Sequence, residues 1–383
     1  MNGTIKKIFV VTVAAIAIAL TFFTIIMPKK DYSENENRYL KKFPEPTFDN
    51  LKDATFMKDS ETFVSDHFIL RDFFMTIRTI YERAAGRNRI NGIYMCRDGY
   101  YIEEYKGLEN IGRIEGAIKR LSEKTEKADI RAMLVPTAVQ ILSEKLPSTA
   151  KNGDQISDIE KIKKSLEKTF DEINRSGRTA CFVDVNDALE NASDEQIFYK
   201  LDHHWTTPGA YAAYKELAKS FGFEPLERNQ FTEKTLSTDF KGSFYSKVND
   251  LLAKPDSITV FESGRLSLTV NYPDKNLTTD TLYADEYLSK KDKYSYFLNN
   301  QNSLVEVKNS NAESGRVLAI VKDSYANCMI PFLAEHFSTI YVFDTRFYRN
   351  STIDFINTNG VTDVLFLYNM YTIDSDTGIN GIH

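Results

Sequence analysis

Residues 316–343, RVLAIVKDSYANCMIPFLAEHFSTIYVF, alternate between apolar, β-prone runs and a stretch with helical spacing. Together with the residues that follow, the pattern predicts strands at 316–321, 339–343 and 361–368 and helices at 325–336 and 352–357. Strands that alternate with helices form parallel sheets with right-handed crossovers. In such sheets, ligands bind at the carboxyl ends of the strands. Ser324 follows one of these ends, where the predicted helix begins.

The same alternation extends upstream. It predicts helices at 109–126, 159–174 and 208–221 and strands at 130–135 and 180–185. Apolar spacing also predicts a helix at 56–87, and Asn-Gly and Asp-Gly pairs predict a hairpin at 91–101. Residues 224–311 are polar and irregular, which indicates loops and short strands inserted into the core. The sequence therefore predicts one α/β domain at 51–383, with an irregular, β-rich insert at about 224–311.

The N-terminus has the pattern of a membrane segment. Lys6 and Lys7 precede an almost unbroken apolar run at 8–27. At about 1.5 Å per residue, this run spans a hydrocarbon core of about 30 Å. We interpret residues 1–30 as an uncleaved signal anchor of an extracytoplasmic domain. Lys29 and Lys30 also flank the far end of the run and weaken the charge signal for this orientation. The alternative is a cleaved leader and a secreted protein. Residues 31–50 are polar and proline-containing, and are predicted to form a stalk.

Composition excludes some classes of partner and site. The net charge of -6, with no offsetting basic stripe, argues against nucleic acid as the main partner. The three cysteines, Cys96, Cys181 and Cys328, are too few and too scattered for a disulfide framework or a zinc site.

Ser324 is a candidate nucleophile. A serine on a strand-to-helix turn stands above the sheet, and the free N–H groups of the helix point toward whatever it attacks. Such donors suit an oxyanion. The alternative is that Ser324 only caps the helix, a common use of serine. A second segment elsewhere in the chain, able to complete a triad, favours the nucleophile.

That segment is Asp202-His203-His204-Trp205, which holds two of the five histidines and the single tryptophan. In an extended segment, Asp202 and His204 share a face and His203 points away. Asp202 would then hold Nδ1 of His204 while Nε2 faces Ser324. A structural Asp–His pair, or a helix cap, is one alternative. A metal site is another, because Asp and two His are good ligands.

Residues 201–211, LDHHWTTPGAY, resemble the signature of the bacterial DHHW protein family. That family is similar to the SGNH-hydrolase-like domain of alginate O-acetyltransferases, which carry an Asp-x-His-Trp motif. Further stretches fit the resemblance along nearly the whole chain past the anchor: SENENR at 33–38, DHFILR at 66–71, FKGS at 240–243, KDSYAN at 322–327 and DTRFY at 344–348.

The resemblance implies a triad of Asp202, His204 and Ser324 that transfers acetyl groups to, or removes them from, a surface polysaccharide. It also implies a membrane-bound O-acyltransferase as the partner that supplies acetyl. Two features depart from ordinary SGNH hydrolases. Their nucleophile comes first in the chain, within Gly-Asp-Ser, whereas here the order is reversed and Lys322 replaces that glycine. We also expect no carbohydrate-binding module after His383, so glycan affinity is expected to come from the core domain.

Five residues are candidates for supporting roles. Asn327 lies one helical turn past Ser324 and could donate to the oxyanion. Gly242 could bring a backbone N–H to the site, or serve only as a turn residue. Arg346 could bind an acidic sugar, brace Asp202 or form a structural salt bridge. Tyr325 and Trp205 are candidates for substrate contact, and simple packing is the alternative for Tyr325.

The sequence thus predicts a membrane-anchored, extracytoplasmic protein with an SGNH-like parallel sheet flanked by helices. It predicts an O-acetyltransferase or acetylesterase that acts through serine acyl transfer, with no metal or organic cofactor. Two other functions stay open: a non-catalytic glycan-binding or assembly protein of the same fold, and a metal-dependent phosphoesterase built on Asp202, His203 and His204.

Overall fold

The computed structural model describes residues 3–33, residue 36 and residues 38–382. Three residues of the predicted motif at 33–38, and the terminal residue 383, lie outside this set. The chain divides into two compact units, Met1–Ile90 with Tyr245–Leu252 and Asn91–Phe244 with Ala253–His383.

The first unit is mainly helical. Its elements are α1 (Gly3–Ile26), β1 (Tyr32–Ser33), β2 (Arg38–Tyr39), α2 (Phe48–Lys52), α3 (Thr55–Asp66), α4 (Arg71–Ala84) and β3 (Arg89–Ile90). Among the described residues, α1 alone is long and apolar enough to cross a membrane, with a mean hydropathy of 2.7. The predicted helix at 56–87 is two helices, because Leu70 adopts the left-handed conformation and interrupts the helical hydrogen bonding. The polar segment after α1 is held to α3, since Arg38 donates two hydrogen bonds to Asp66.

The second unit contains an α/β core. Up to its central region it comprises β4 (Ile93–Met95), β5 (Tyr101–Glu103), α5 (Gly112–Lys124), β6 (Asp129–Val135), α6 (Ala138–Ile141), α7 (Gln155–Arg175), β7 (Ala180–Phe182), α8 (Asn186–Asn191), α9 (Thr207–Ser220) and β8 (Thr232–Phe240). The predicted hairpin is confirmed, since β4 and β5 pair in antiparallel register. The chain passes to the first unit within α10 (Ser243–Val248).

After the return, the remaining elements are β9 (Asp256–Glu262), β10 (Leu268–Tyr272), β11 (Leu277–Thr279), β12 (Leu304–Asn309), β13 (Val317–Lys322), α11 (Ile330–Leu333), β14 (Thr339–Phe343), α12 (Thr352–Thr358), β15 (Asp363–Asn369) and α13 (Thr372–Ser375). The helix predicted at 325–336 is instead a 3-10 turn, Ser324–Cys328, followed by α11. Pro331 lacks an N–H, so it is tolerated in the first turn of α11 and interrupts a continuous helix.

Eight strands form the central sheet, in the order β11-β10-β12-β14-β13-β15-β6-β7. The pairs from β14 to β7 are parallel, as the sequence predicts. The region predicted as an irregular insert adds three antiparallel strands, β12, β10 and β11, to this sheet. Its other two strands, β8 and β9, pair with each other. The unit is therefore an α/β fold with a large, mostly parallel sheet.

The core lies on both faces of this sheet. All seven residues of β15 are buried, as are six of seven in β6 and five of six in β13. Central parallel strands are covered by helices on both sides, so nearly continuous apolar runs are expected in them.

Candidate active site

Ser324 lies at a topological switch point of the sheet. From β13 the chain goes to β14 on one side, and then returns to β15 on the other. Where connections diverge in this way, a crevice opens at the carboxyl ends of the strands. Ser324 follows the end of β13 by two residues and begins the 3-10 turn.

Asp202 and His204 lie near the tip of a narrow loop. Phe198 and Trp205 form an isolated antiparallel bridge across its base. Beyond the base, Thr206 caps α9 through a hydrogen bond from the backbone N–H of Gly209 to its hydroxyl. The loop is therefore anchored to a buried helix immediately after the histidines.

A buried carboxylate holds the start of this loop. Asp256 accepts hydrogen bonds from the backbone N–H groups of Lys200 at 3.0 Å and Leu201 at 2.8 Å, and from the side chain of Gln196 at 2.7 Å. Burial raises the pKa of Asp256 to about 6, against these hydrogen bonds, which lower it. Asp256 thus fixes the backbone one residue before Asp202.

Two hydrogen bonds fasten the loop to the turn that carries Ser324. The indole Nε1 of Trp205 donates to the carbonyl of Tyr325 at 2.9 Å, and the hydroxyl of Tyr325 donates to the carbonyl of His203 at 2.5 Å. Both aromatic side chains are 0% exposed. These reciprocal bonds hold together two segments that are 120 residues apart.

Asp202, His204 and Ser324 form a continuous hydrogen-bonded chain. His204 Nε2 lies 2.7 Å from Ser324 Oγ, and His204 Nδ1 lies 2.6 Å from Asp202 Oδ1. An ionised carboxylate only accepts hydrogen bonds, so Nδ1 carries the proton and Nε2 accepts from the serine hydroxyl. Asp202 and His204 are buried and Ser324 is half-buried. This is the arrangement that activates a serine nucleophile.

The carboxyl group of Asp202 is held in its ionised form. Burial by itself would raise its pKa, but His203, His204 and the hydrogen bonds from His204 and Ser243 lower it well below its usual range. The backbone N–H of Ser243 donates to Oδ2 at 2.7 Å. Asp202 can therefore stabilise a positive charge on His204.

Gly242 is required by the close approach of the chain to Asp202. A Cβ at this position would lie 2.2 Å from Oδ2 and 2.4 Å from Cβ of Asp202. No side chain fits there, so the glycine lets the following N–H of Ser243 reach the carboxylate.

Tyr294 packs against the imidazole of His204. The two rings stack with centroids 3.5 Å apart and planes 9° apart. The Tyr294 hydroxyl donates to the carbonyl of Ser324 at 3.0 Å. This buried tyrosine therefore covers one face of the imidazole ring and also fixes the backbone of the serine.

Asp323, and not Ser324, caps the 3-10 turn. Its carboxylate accepts hydrogen bonds from the backbone N–H of Tyr325 at 2.8 Å, and from the backbone N–H and side-chain amide of Asn369 at 2.7 and 2.6 Å. The interpretation of Ser324 as a helix cap is therefore wrong. Of the N–H groups at the start of this turn, that of Tyr325 is already bound to Asp323.

A buried lysine orients Asn327. Lys322 Nζ donates to Asn327 Oδ1 at 2.8 Å and lies 3.7 Å from Asp344 Oδ2. Burial lowers the pKa of Lys322, and the nearby carboxylates oppose that effect. Because the amide oxygen faces Lys322, the Nδ2 group of Asn327 points the other way. No described residue accepts a hydrogen bond from it.

The sequence profile of the DHHW protein family matches residues 117–343, a stretch that contains the loop with the two histidines and the turn with Ser324. This chain belongs to the DHHW protein family. No curated protein matches it.

Solved structures show the same fold. A DHHW family protein from Eubacterium siraeum is 26% identical with a TM-score of 0.64, over 77% of this chain and 96% of that chain. Bacillus cereus PatB1 is 19% identical with a TM-score of 0.59, over 73% and 97%. PatB1 with a sulfonyl adduct is 18% identical with a TM-score of 0.62, over 77% and 100%.

In this chain, two of the residues predicted to contact substrate are buried. Trp205 and Tyr325 are fully buried and hydrogen-bonded to the backbone, so neither can form a substrate platform. Their assignment to substrate binding is wrong. An aromatic residue in a motif is as useful for holding two segments together as for binding a ligand, because its N–H or O–H finds a buried partner.

His203 does not point away from the site. The prediction assumed an extended segment, but the chain bends at Asp202-His203-His204. The centroid of the His203 ring lies 3.8 Å from that of the His204 ring. Its Nδ1 lies 2.8 Å from the hydroxyl of Ser243. His203 is half-exposed, with 38% of its side chain accessible, so it borders the site from the solvent side.

The same three residues contain the atoms of a candidate metal site. One ligand atom from each of Asp202, His203 and His204 lies within 4.8 Å of the others. Both ring nitrogens of His204 are already in hydrogen bonds, with Asp202 and Ser324. A metal ion bound to His204 would have to displace one of those partners.

Arg346 forms a salt bridge with Asp344. Its Nε and Nη2 donate to the two carboxylate oxygens at 2.8 and 2.6 Å. Of the alternatives, the structural salt bridge is confirmed and bracing of Asp202 is wrong, because the described partner is Asp344. Binding of an acidic sugar stays a prediction, as do the oxyanion roles of Asn327 and Gly242.

Sequence reasoning missed Tyr294, Asp256 and Ser243. Tyr294 and Asp256 lie in the region that appeared irregular, where no periodic pattern or turn signal marks them. Ser243 follows Gly242 in the FKGS stretch, so the resemblance drew attention to this place but not to the serine whose N–H binds Asp202.

Proposed function

We propose that this protein is an O-acetyltransferase or acetylesterase that acts on a cell-surface or secreted polysaccharide through Ser324, His204 and Asp202. The observation that carries the proposal is the hydrogen-bonded chain from Ser324 Oγ to His204 Nε2 at 2.7 Å and from His204 Nδ1 to Asp202 at 2.6 Å. The fold shared with the DHHW protein from Eubacterium siraeum is consistent with it.

In the first half-reaction, Ser324 Oγ attacks the carbonyl carbon of an acetyl ester or thioester. His204 Nε2 takes the hydroxyl proton, and Asp202 stabilises the imidazolium. When the tetrahedral intermediate collapses, the bond to the leaving oxygen or sulfur breaks and the proton passes from His204 to that atom. The products are acetylated Ser324 and the deacylated donor.

Because the backbone N–H of Tyr325 is bound to Asp323, two other groups remain to hold the oxyanion. The backbone N–H of Ser324 and the Nδ2 of Asn327 have no hydrogen-bond acceptor among the described residues. Lys322 fixes the amide orientation of Asn327 by donating to its oxygen. Preorganised donors of this kind contribute about 3–4 kcal/mol each to transition-state stabilisation.

In the second half-reaction, an acceptor oxygen attacks the acetyl carbonyl while His204 takes its proton. The bond to Ser324 Oγ then breaks, and His204 returns the proton to that oxygen. A sugar hydroxyl makes the protein a transferase, and water makes it an esterase. His203 borders the base and is accessible to solvent, which suits contact with the acceptor. For the transferase, a membrane-bound O-acyltransferase is the proposed source of acetyl groups.

The proposed location is the outer face of the cell membrane, with α1 as an uncleaved single-pass anchor. Its 24 residues extend about 36 Å at 1.5 Å per residue, enough to cross a hydrocarbon core of about 30 Å. The alternative is secretion after cleavage of this segment.

The test uses covalent trapping and turnover together. A sulfonyl fluoride should inactivate hydrolysis of p-nitrophenyl acetate, and mass spectrometry of the digested protein should find the sulfonyl group on Ser324. The structure of PatB1 with a sulfonyl adduct motivates this reagent. The matched control is Ser243→Ala, which removes a hydroxyl near His203 and should leave the labelling of Ser324 intact.

The alternatives give different results in the same assays. A metal-dependent phosphoesterase would lose activity in EDTA, hydrolyse p-nitrophenyl phosphate and resist the sulfonyl fluoride. A non-catalytic glycan-binding protein would neither turn over an acetyl ester nor acquire the label. Incubation with an acetyl donor and an oligosaccharide separates transferase from esterase. A transferase forms acetylated oligosaccharide, whereas an esterase releases free acetate.

A further inference from the structure

Helix α4 in the first unit has two different faces. One face packs within that unit: Thr79 donates a hydrogen bond to the carbonyl of Val248 at 2.5 Å, and Asn249 donates to Thr76 at 3.0 Å. The other face, here called the apolar face of α4, carries five large hydrophobic side chains that are 40–67% exposed: Phe73, Phe74, Ile77, Ile80 and Tyr81. Contiguous exposed apolar surface of this kind marks a binding site for protein or lipid.

The start of α4 is attached to the end of α1. The backbone N–H of Ile69 donates to Thr24 Oγ1 at 3.2 Å, and His67 Nε2 lies 3.1 Å from the carbonyl oxygen of Lys30. The short connection between α3 and α4 is therefore held at the C-terminal end of the one described helix that can cross a membrane.

The position of Thr24 along α1 sets the depth of this attachment. The apolar run at 8–27 has its centre between residues 17 and 18. At about 1.5 Å per residue, Thr24 lies about 10 Å from that centre, and half of a hydrocarbon core is about 15 Å. The residue at which α4 is tethered therefore lies close to the boundary between acyl chains and headgroups.

The charges around this attachment suit a lipid surface. Lys29 and Lys30 follow α1, and Arg78 is an exposed residue of α4. Cations beside an apolar helical face are typical of helices that lie in the interface of anionic membranes.

We propose that the apolar face of α4 lies in the interface of the membrane that α1 crosses, with its Phe and Ile side chains among the acyl chains. The helix then provides a second contact with the bilayer. The inference rests on α1 as the membrane anchor and is independent of the acetyl-transfer chemistry.

The test measures the depth of single nitroxide labels on the full chain, reconstituted in vesicles of phosphatidylcholine and phosphatidylglycerol. Ile77→Cys reports on the apolar face. Ile18→Cys, in the middle of α1, is the lipid reference, and Lys168→Cys, whose native side chain is 87% exposed on α7, is the aqueous reference. Burial raises the pKa of all three native thiols, Cys96, Cys181 and Cys328, so labelling of the unsubstituted chain should give a low background.

At Ile77, the ratio of oxygen collisions to collisions with a water-soluble nickel complex should exceed that at Lys168 several-fold and approach that at Ile18. A ratio equal to that at Lys168 would show that the face is in water and would overturn the proposal. Protection from both reagents would show that protein covers the face, which also overturns it. A ratio at Ile18 equal to that at Lys168 would show that α1 does not lie in the bilayer. This result would overturn the proposal and would not bear on the proposed triad.

Discussion

Replacing Ser324 with alanine should abolish catalysis and leave the fold almost unchanged. The cap of the 3-10 turn is Asp323, so the substitution removes no capping interaction. It removes one hydrogen bond, from the half-buried hydroxyl to His204 Nε2, which water can partly replace. The free energy of unfolding should fall by about 1 kcal/mol or less. The rate of p-nitrophenyl acetate hydrolysis should fall on the order of 10³-fold or more.

Asp323→Ala is the matched control for stability. It leaves three buried donors, the backbone N–H groups of Tyr325 and Asn369 and the side-chain amide of Asn369, without their acceptor. Each buried donor left without an acceptor costs about 1–3 kcal/mol, so the three together should cost at least about 3 kcal/mol. In a unit of this size, that loss lowers Tm by roughly 5 °C or more.

Calorimetry and ester hydrolysis on the two variants decide the issue together. If Ser324→Ala lowers Tm as far as Asp323→Ala does, or keeps activity within a few-fold of wild type, the assignment of Ser324 as a nucleophile and of Asp323 as the cap is refuted.

The remaining predictions concern the base, the glycine and pH. His204→Ala should lower kcat on the order of 10³-fold, whereas His203→Ala should mainly affect binding or stability; the opposite ranking in steady-state kinetics would assign the base to the other ring. Gly242→Ala should displace the triad carboxylate, which its Cβ would approach to 2.2 Å, and lower kcat on the order of 10²-fold; Gly315→Ala, with nothing within 4 Å, should match wild type. Burial lowers the pKa of His336 to about 4, so the unfolded chain binds the extra proton between about pH 4 and 6.5, and stability falls as pH decreases through that window. In urea unfolding, His336→Phe should reduce the difference in stability between pH 7 and pH 4.5 by about 2 kcal/mol, and an unchanged difference would contradict the shift.

Much of the fold could be predicted because its signals are local. The apolar runs of β13, β14 and β15 and the helical spacing of α5, α7 and α9 each depend on residues within one element, and the structure has these elements close to the predicted bounds. The break between α3 and α4 and the break before α11 depend on one or two residues, Leu70 and Pro331, that a periodic pattern averages over.

The candidate site was predictable in part for the same reason. Asp202 and His204 stand together in the sequence, and Ser324 stands at a predicted strand end. The rule that ligands bind at the carboxyl ends of parallel strands places Ser324 in a crevice, whereas its convergence with Asp202 and His204 depends on the bonds between their loop and Tyr325. The direction of His203 was wrong because it assumed an extended segment, whereas hydrogen bonds to Ser243 and Tyr325 accompany a bend there.

By itself, the sequence determined the alternation of strands and helices, the apolar segment at the N-terminus and the three residues of the proposed triad. Tertiary structure alone decided that the irregular region adds three antiparallel strands to the sheet, that Tyr294 stacks on His204, and that Trp205 is a buried clamp. The physical reason is the range of the interactions. Periodicity acts between neighbours in the chain, whereas stacking, capping and strand pairing depend on which distant residues the packed core brings within a few ångströms of each other.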